Sequence, residues 1–210
     1  VALALSELLP QPSQLGENRA EVLARKRASF DAADQPARWH FIGHIQRNKA
    51  RRIIEGSDVL HSIDSLRLAQ TVVRLAAELE RSLEVFIEVN LTGETEKHGL
   101  SAEEVAPVLE ALSASDHIQV AGLMAMGPAR GLRTVDEVFA DVAQLAAELE
   151  GATPGAFSDG RCRLSMGMSG DLEAAVRHGS HFVRVGSALF DGIPDGARDL
   201  PSSSPENVPR

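Results

Sequence analysis

Short β-rich runs alternate with longer amphipathic stretches along most of this chain, and that alternation limits its fold more than any other feature. The runs at 39–42, 59–63, 85–90, 120–126, 163–168 and 182–185 have the composition of buried strands. Between them, 66–79, 102–112, 135–149 and 171–178 repeat apolar residues at helical spacing, as in Leu68, Val72, Leu75 and Leu79. Such alternation builds a parallel sheet with helices outside it, either a barrel or a doubly wound sheet. Neither a dinucleotide glycine fingerprint nor a Walker-type loop follows an early strand, which favours the barrel. The expected fold is therefore α/β, a modified (β/α)8 TIM-type barrel.

The chain has 210 residues, short of the roughly 250 typical of that fold. The shortage is at the front. Val1 to Leu5 reads as a strand, but residues 6–15, with Pro10 and Pro12, are too few for a crossover helix and a second strand. That unit usually takes about 30 residues. Either the barrel is incomplete at its N-terminal strands or the sequence has lost a segment. The division expected is a barrel over 1–190 and a flexible tail over 191–210, where prolines and three consecutive serines gather.

Charge and cysteine usage narrow the function classes. With 21 basic and 30 acidic residues the net charge is -9, which disfavours a general nucleic-acid binder. No apolar run is long enough to argue a membrane span, and the first residues lack the flanks of a signal peptide. The single Cys162 excludes an internal disulfide and fits a reducing, cytoplasmic setting. A small anionic ligand is still compatible, because a few amides and one or two cations suffice to hold a phosphate.

The densest chemical signal is Arg163-Leu164-Ser165-Met166-Gly167-Met168-Ser169-Gly170-Asp171. A strand runs into a Gly-Ser-Gly turn and a helix start, with Ser169 placed as an N-cap. Phe182-Val183-Arg184-Val185-Gly186-Ser187 repeats the pattern. Two such turns on consecutive last strands are where many barrels bind phosphate, although each alone is explained by capping. Arg184 and Gly186 share one strand face, the interior of a barrel. A guanidinium there needs a ligand acceptor, or else an ion pair with Glu17 or Glu88.

A metal is discounted. His40 and His44 would lie about 13 Å apart along a strand, and no third ligand is evident. The basic residues Arg47, Lys49, Arg51 and Arg52 read as a solvated helix face, and Met124, Met126, Met166 and Met168 as core or pocket wall.

Several motifs together resemble the pyridoxal 5′-phosphate homeostasis proteins, single-domain relatives of the alanine racemase barrel. They are Gly16-Glu17-Asn18-Arg19, the run Trp39-His40-Phe41-Ile42-Gly43-His44-Ile45-Gln46 with Asn48-Lys49, and His61-Ser62-Ile63-Asp64. Val89-Asn90, Lys97 with Gly99, Gly122-Leu123-Met124, the run from Ser165 to Asp171, and Arg184-Val185-Gly186 follow in order. The resemblance implies pyridoxal 5′-phosphate at the C-terminal mouth of the barrel, buffered or delivered to recipient apo-enzymes without turnover. It implies that Ser169, Gly186 and Ser187 hold the phosphate, that Arg184 faces the pyridine nitrogen and that Asn18 lies beside the ring. Ser165 and Met166 line the pocket in this reading, with His40 as a further wall residue. An arginine at the ring nitrogen makes the ring a poor electron sink. The second acid/base of the racemases is a tyrosine, and this chain has none.

One departure from the pattern is marked. The family attaches the cofactor through a lysine at the end of its first strand, where this chain has Ala4-Leu5-Ser6-Glu7-Leu8. Lys97, in a loop after a strand, is the alternative Schiff-base candidate. Rival readings are a pyridoxal-dependent amino-acid racemase, a barrel enzyme acting on a phosphorylated metabolite, and a scaffold that binds only protein.

Overall fold

A computed structural model describes residues 11–129, 131, 133–153, 155–190 and 192. Among the described residues seven parallel strands form one sheet in sequence order: β1 (Ser13–Glu17), β2 (Ala37–Phe41), β3 (Val59–Ile63), β4 (Leu83–Val89), β5 (Ile118–Ala125), β6 (Arg163–Met168) and β7 (Phe182–Arg184). The connecting helices are α1 (Ala20–Ala32), α2 (Ala50–Gly56), α3 (Leu66–Glu78), α4 (Ala102–Ser113), α5 (Val135–Ala152) and α6 (Leu172–Arg177). Parallel neighbours need crossovers, and the helices supply them on one face. The alternation read from the sequence is thus the alternation of the fold.

The sheet curls until its two ends face each other. Although β1 and β7 are not paired, the Phe182 ring on β7 lies 5.9 Å from the His40 ring on β2. Two apolar clusters result. Outside, the helices pack on the outward strand residues: Phe30 of α1 meets Trp39 of β2 edge to face at 5.2 Å. Inside, Val59, Phe86, Ala121 and Met124 fill the barrel against Phe182. Period-two alternation divides each strand between these clusters.

At the front of the chain lies a strand that the composition does not single out. Ser13–Glu17 is a strand, in register with β2 from Ser13 opposite Ala37 to Glu17 opposite Phe41. The run Ser-Gln-Leu-Gly-Glu has almost no intrinsic strand preference, and the ladder with β2 overrides that. The strand expected at Val1 to Leu5, the Ala4 to Leu8 stretch, and the tail expected at 191–210 lie outside the described residues, Gly192 apart.

Helix starts are satisfied locally. Ser65 caps α3 through Leu68 N–H, and Ser101 with Glu104 and Thr134 with Glu137 form reciprocal boxes on α4 and α5. Among the described residues no helix is long and apolar enough to cross a membrane.

Candidate functional site

The barrel interior is built in layers. At its floor the Glu84 carboxylate bridges two arginines, Arg38 at 2.8 Å and Arg163 at 3.0 Å. Above it sits an aromatic layer: His61 stacks on Phe86 at 4.5 Å, and Phe182 meets Phe86 edge-on at 5.5 Å. The layer above that is polar, and it opens into a cavity of about 750 Å³ at the C-terminal end of the sheet. That volume is in the range of small-molecule sites.

A hydrogen-bonded chain crosses the barrel beneath this cavity. Gln14 Oε1 is 2.7 Å from His40 Nε2, His40 Nδ1 is 2.8 Å from His61 Nε2, and His61 Nδ1 is 2.8 Å from Ser165 Oγ. Arg184 Nη1 completes it, donating to Ser165 Oγ at 2.9 Å. The proton positions follow from chemistry. A carboxamide oxygen only accepts, so His40 Nε2 carries the proton and its Nδ1 accepts from His61 Nε2–H. His61 Nδ1 then accepts from the Ser165 hydroxyl, which in turn accepts from Arg184. Every donor points the same way, and both imidazoles are neutral.

Burial agrees with that assignment. It pushes the His40 imidazole down to about 4, helped by the Arg38 charge, and holds His61 well below its ordinary value, with His40 and Arg184 adding to the effect. Arg184 also donates to the carbonyls of Ser165 at 3.0 Å and Ala125 at 3.1 Å. Burial lowers its pKa from the usual arginine value, with Asp171 and Glu88 acting in the opposite direction. It is therefore a cation held mainly by neutral acceptors. Neither ion pair weighed from the sequence forms: Glu17 pairs with Lys26, and no ion pair joins Arg184 to Glu88 among the described residues.

Of the residues singled out from the sequence, Asn18, His40, Ser169, Arg184, Gly186 and Ser187 line the cavity. The Ser169 and Ser187 hydroxyls face each other at 3.4 Å across the two turns. Ser169 is not the N-cap that its position suggested. Asp171 occupies that place and its carboxylate receives Met168 N–H, which leaves the serine hydroxyl directed to the other turn. A Cβ added at Gly186 or Gly170 would meet nothing within 4 Å, so both glycines border open space. Gly43 is a different case: a Cβ there would lie 2.2 Å from the Asn18 carbonyl oxygen. Only glycine lets the β1 and β2 ends approach closely enough to bring Asn18 to the cavity wall.

Other residues are placed differently. Ser165 is fully buried one layer below the cavity, where it couples His61 to Arg184. Met166 faces the other way and packs in the outer core among the helices. Adjacent strand residues cannot both face inward. The Lys97 ammonium donates to the Gly127 carbonyl at 2.8 Å and pairs with Glu94 at 2.7 Å, and it is not among the cavity-lining residues. Gln14, His61, Phe182, Met126 and Met168 do line it. His61 could have been found from the sequence: it lies two residues beyond Val59, which is opposite His40 in the register.

The family described as "Alanine racemase, N-terminal domain" matches residues 13–194. The chain is 37% identical over 185 residues to a pyridoxal phosphate homeostasis protein of Pseudomonas aeruginosa, covering 88% of this chain and 74% of that one. Its fold superposes on PipY of Synechococcus elongatus PCC7942 without PLP at a TM-score of 0.80 and 34% identity, covering 90% and 86% of the two chains. The PLP-bound form of PipY gives 0.78 and 33% over the same shares. An alanine racemase of Clostridium difficile 630 shares the fold alone, at a TM-score of 0.68, 15% identity, and coverage of 90% and 48%.

Proposed function

The chain belongs to the pyridoxal phosphate homeostasis proteins within the alanine racemase N-terminal domain family, and from that premise we propose that it binds pyridoxal 5′-phosphate in the mouth cavity. Its role in this reading is to buffer the cofactor and deliver it to apo-enzymes in the cytoplasm, without turnover. The observation that carries the proposal is the pairing of two features in one cavity: a buried, oriented Arg184 below, and the facing Ser169 and Ser187 hydroxyls at the rim. A phosphorylated pyridine needs both a phosphate cradle and a group for its ring nitrogen.

The ring, when bound, supplies an aldehyde and an aromatic electron sink; the residues here temper the second. Arg184 cannot release a proton to a pyridine nitrogen, so it donates a hydrogen bond and leaves the ring nitrogen unprotonated. The directional chain from Arg184 through Ser165, His61 and His40 to Gln14 ties up the Arg184 orientation and holds both imidazoles neutral. Two-base chemistry across a substrate would need a second acid/base, and a chain without tyrosine lacks the one its racemase relatives use.

Replacing both Ser169 and Ser187 by alanine tests the phosphate cradle. The expected result by calorimetry is a loss of roughly 10- to 100-fold in pyridoxal 5′-phosphate affinity, from two hydrogen bonds of about 1 kcal/mol each at a solvent-exposed rim. Pyridoxal, which has no phosphate, should bind the variant and the parent chain equally. Equal phosphate-ester affinity in the two proteins would remove these serines from the site.

A further inference from the structure

We propose that His44, Asp64 and His98 form a binding site for a divalent transition-metal ion of the zinc class at the rim of the barrel. Each residue comes from the C-terminal end of a different consecutive strand: His44 follows β2, Asp64 follows β3, and His98 sits in the loop after β4. No spacing in the sequence joins them, where the histidine pair weighed for a metal is His40 with His44. The fold instead sends His40 inward to His61 and leaves His44 at the rim.

The geometry is close to what a tetrahedral ion requires. His44 Nδ1 lies 3.1 Å and His98 Nδ1 3.8 Å from the same oxygen, Oδ2 of Asp64. All three ligand atoms lie within 4.8 Å of one another. Metal–ligand bonds of 2.0–2.1 Å in a tetrahedron separate neighbouring donors by about 3.3 Å. A hydrogen bond explains the His44 distance but not that of His98, which exceeds hydrogen-bond range. The two rings stack at 4.1 Å and 17°, so metal capture turns them out of the stack to converge their lone pairs. His98 is 62% exposed and free to make that rotation, whereas Asp64, at 11%, is the fixed member.

The backbone behind the ligands is already set. Asn90 N–H and Leu100 N–H close the β4 loop on Leu100 and Glu88 carbonyls at 2.9 Å each, and the Asn90 side chain ties the loop at Glu94 and Lys97. Gly99, at φ +113, has Val89 and Asn90 backbone atoms 2.9 Å from where a Cβ would be, which pins the residue next to His98. Two imidazole nitrogens and one carboxylate suit zinc-class ions rather than magnesium or calcium, which take oxygen ligands. Water would complete the tetrahedron.

His44 also lines the mouth cavity, so the metal site borders the proposed cofactor site, and the test is made without the cofactor. The chain, stripped with chelator, is titrated with Zn²⁺ and with Mg²⁺ by calorimetry. One saturable Zn²⁺ per chain is expected, with no Mg²⁺ heat. His98→Ala, on an exposed loop, should weaken Zn²⁺ binding at least about tenfold, and Asp64→Asn likewise. His178→Ala, which removes the separate imidazole beside Asp136, should leave it unchanged. Absence of saturable Zn²⁺ binding would overturn the proposal, as would equal binding by a folded His44→Ala/His98→Ala double variant.

Discussion

Replacing Arg184 by methionine is expected to weaken pyridoxal 5′-phosphate binding at least about tenfold and to destabilise the barrel. The guanidinium makes three hydrogen bonds to two strands, at the Ser165 hydroxyl, the Ser165 carbonyl and the Ala125 carbonyl. Methionine fills much of the volume but satisfies none of these acceptors. The stability loss expected in denaturant unfolding is about 2–4 kcal/mol, reduced from the gross sum because a buried charge is removed with it. Affinity for the cofactor should fall at least about tenfold through loss of the ring-nitrogen contact. Lysine at this position should rescue little, since one ammonium cannot span the acceptors on β5 and β6. Binding by a folded Arg184→Met protein at parent affinity would show that the ligand does not use this residue.

The second large effect is the dependence of stability on pH, where two buried histidines and a buried glutamate act in opposite directions. His40 has its pKa lowered from 6.5 to about 4, so the folded state holds it neutral while the unfolded chain protonates. Its contribution is complete above pH 6.5 and is lost as pH falls toward 4, about 3 kcal/mol in all. His61 acts in the same direction. Glu88 is raised from 4.5 to about 7, so the folded state keeps a proton that the unfolded chain has released. Its penalty is absent below pH 4.5, grows to about 3 kcal/mol by pH 7 and is constant above that.

The histidines therefore dominate below pH 6.5, and the parent chain should lose stability there, partly offset by the relief of Glu88. Glu88→Gln removes the offset. That variant should be more stable than the parent by up to about 3 kcal/mol at pH 8, equal to it near pH 4.5, and steeper in its acid loss. Denaturant unfolding at a series of pH values measures both curves. Identical profiles for parent and variant would contradict the assignment of Glu88, and a flat parent profile would contradict that of the histidines.

Much of this architecture was legible from local chemistry. The strands from β2 onward carry apolar and aromatic runs with helical patterns between them, and the serine turns after β6 and β7 stand out by composition. β1 did not, because Ser13–Glu17 owes its strand conformation to pairing with β2 rather than to its own residues. The functional chain was the least legible part. His61 and Ser165 are 104 residues apart, and only curling of the sheet brings β3 against β6. Ser165 and Met166 both belong to the pocket wall in the family resemblance, although strand alternation alone assigns them to opposite faces. Lys97 looked available as a loop lysine, yet its partners Gly127 and Glu94 come from folding of the loops around it.

The most direct measurement is a calorimetric titration of the chain with pyridoxal 5′-phosphate, repeated with inorganic phosphate or pyridoxamine 5′-phosphate present. Saturable binding of one cofactor per chain, displaced by pyridoxamine 5′-phosphate and weakened in Arg184→Met, is expected. No saturable heat from a folded chain, or binding that Arg184→Met and the Ser169/Ser187 double variant leave intact, would contradict it.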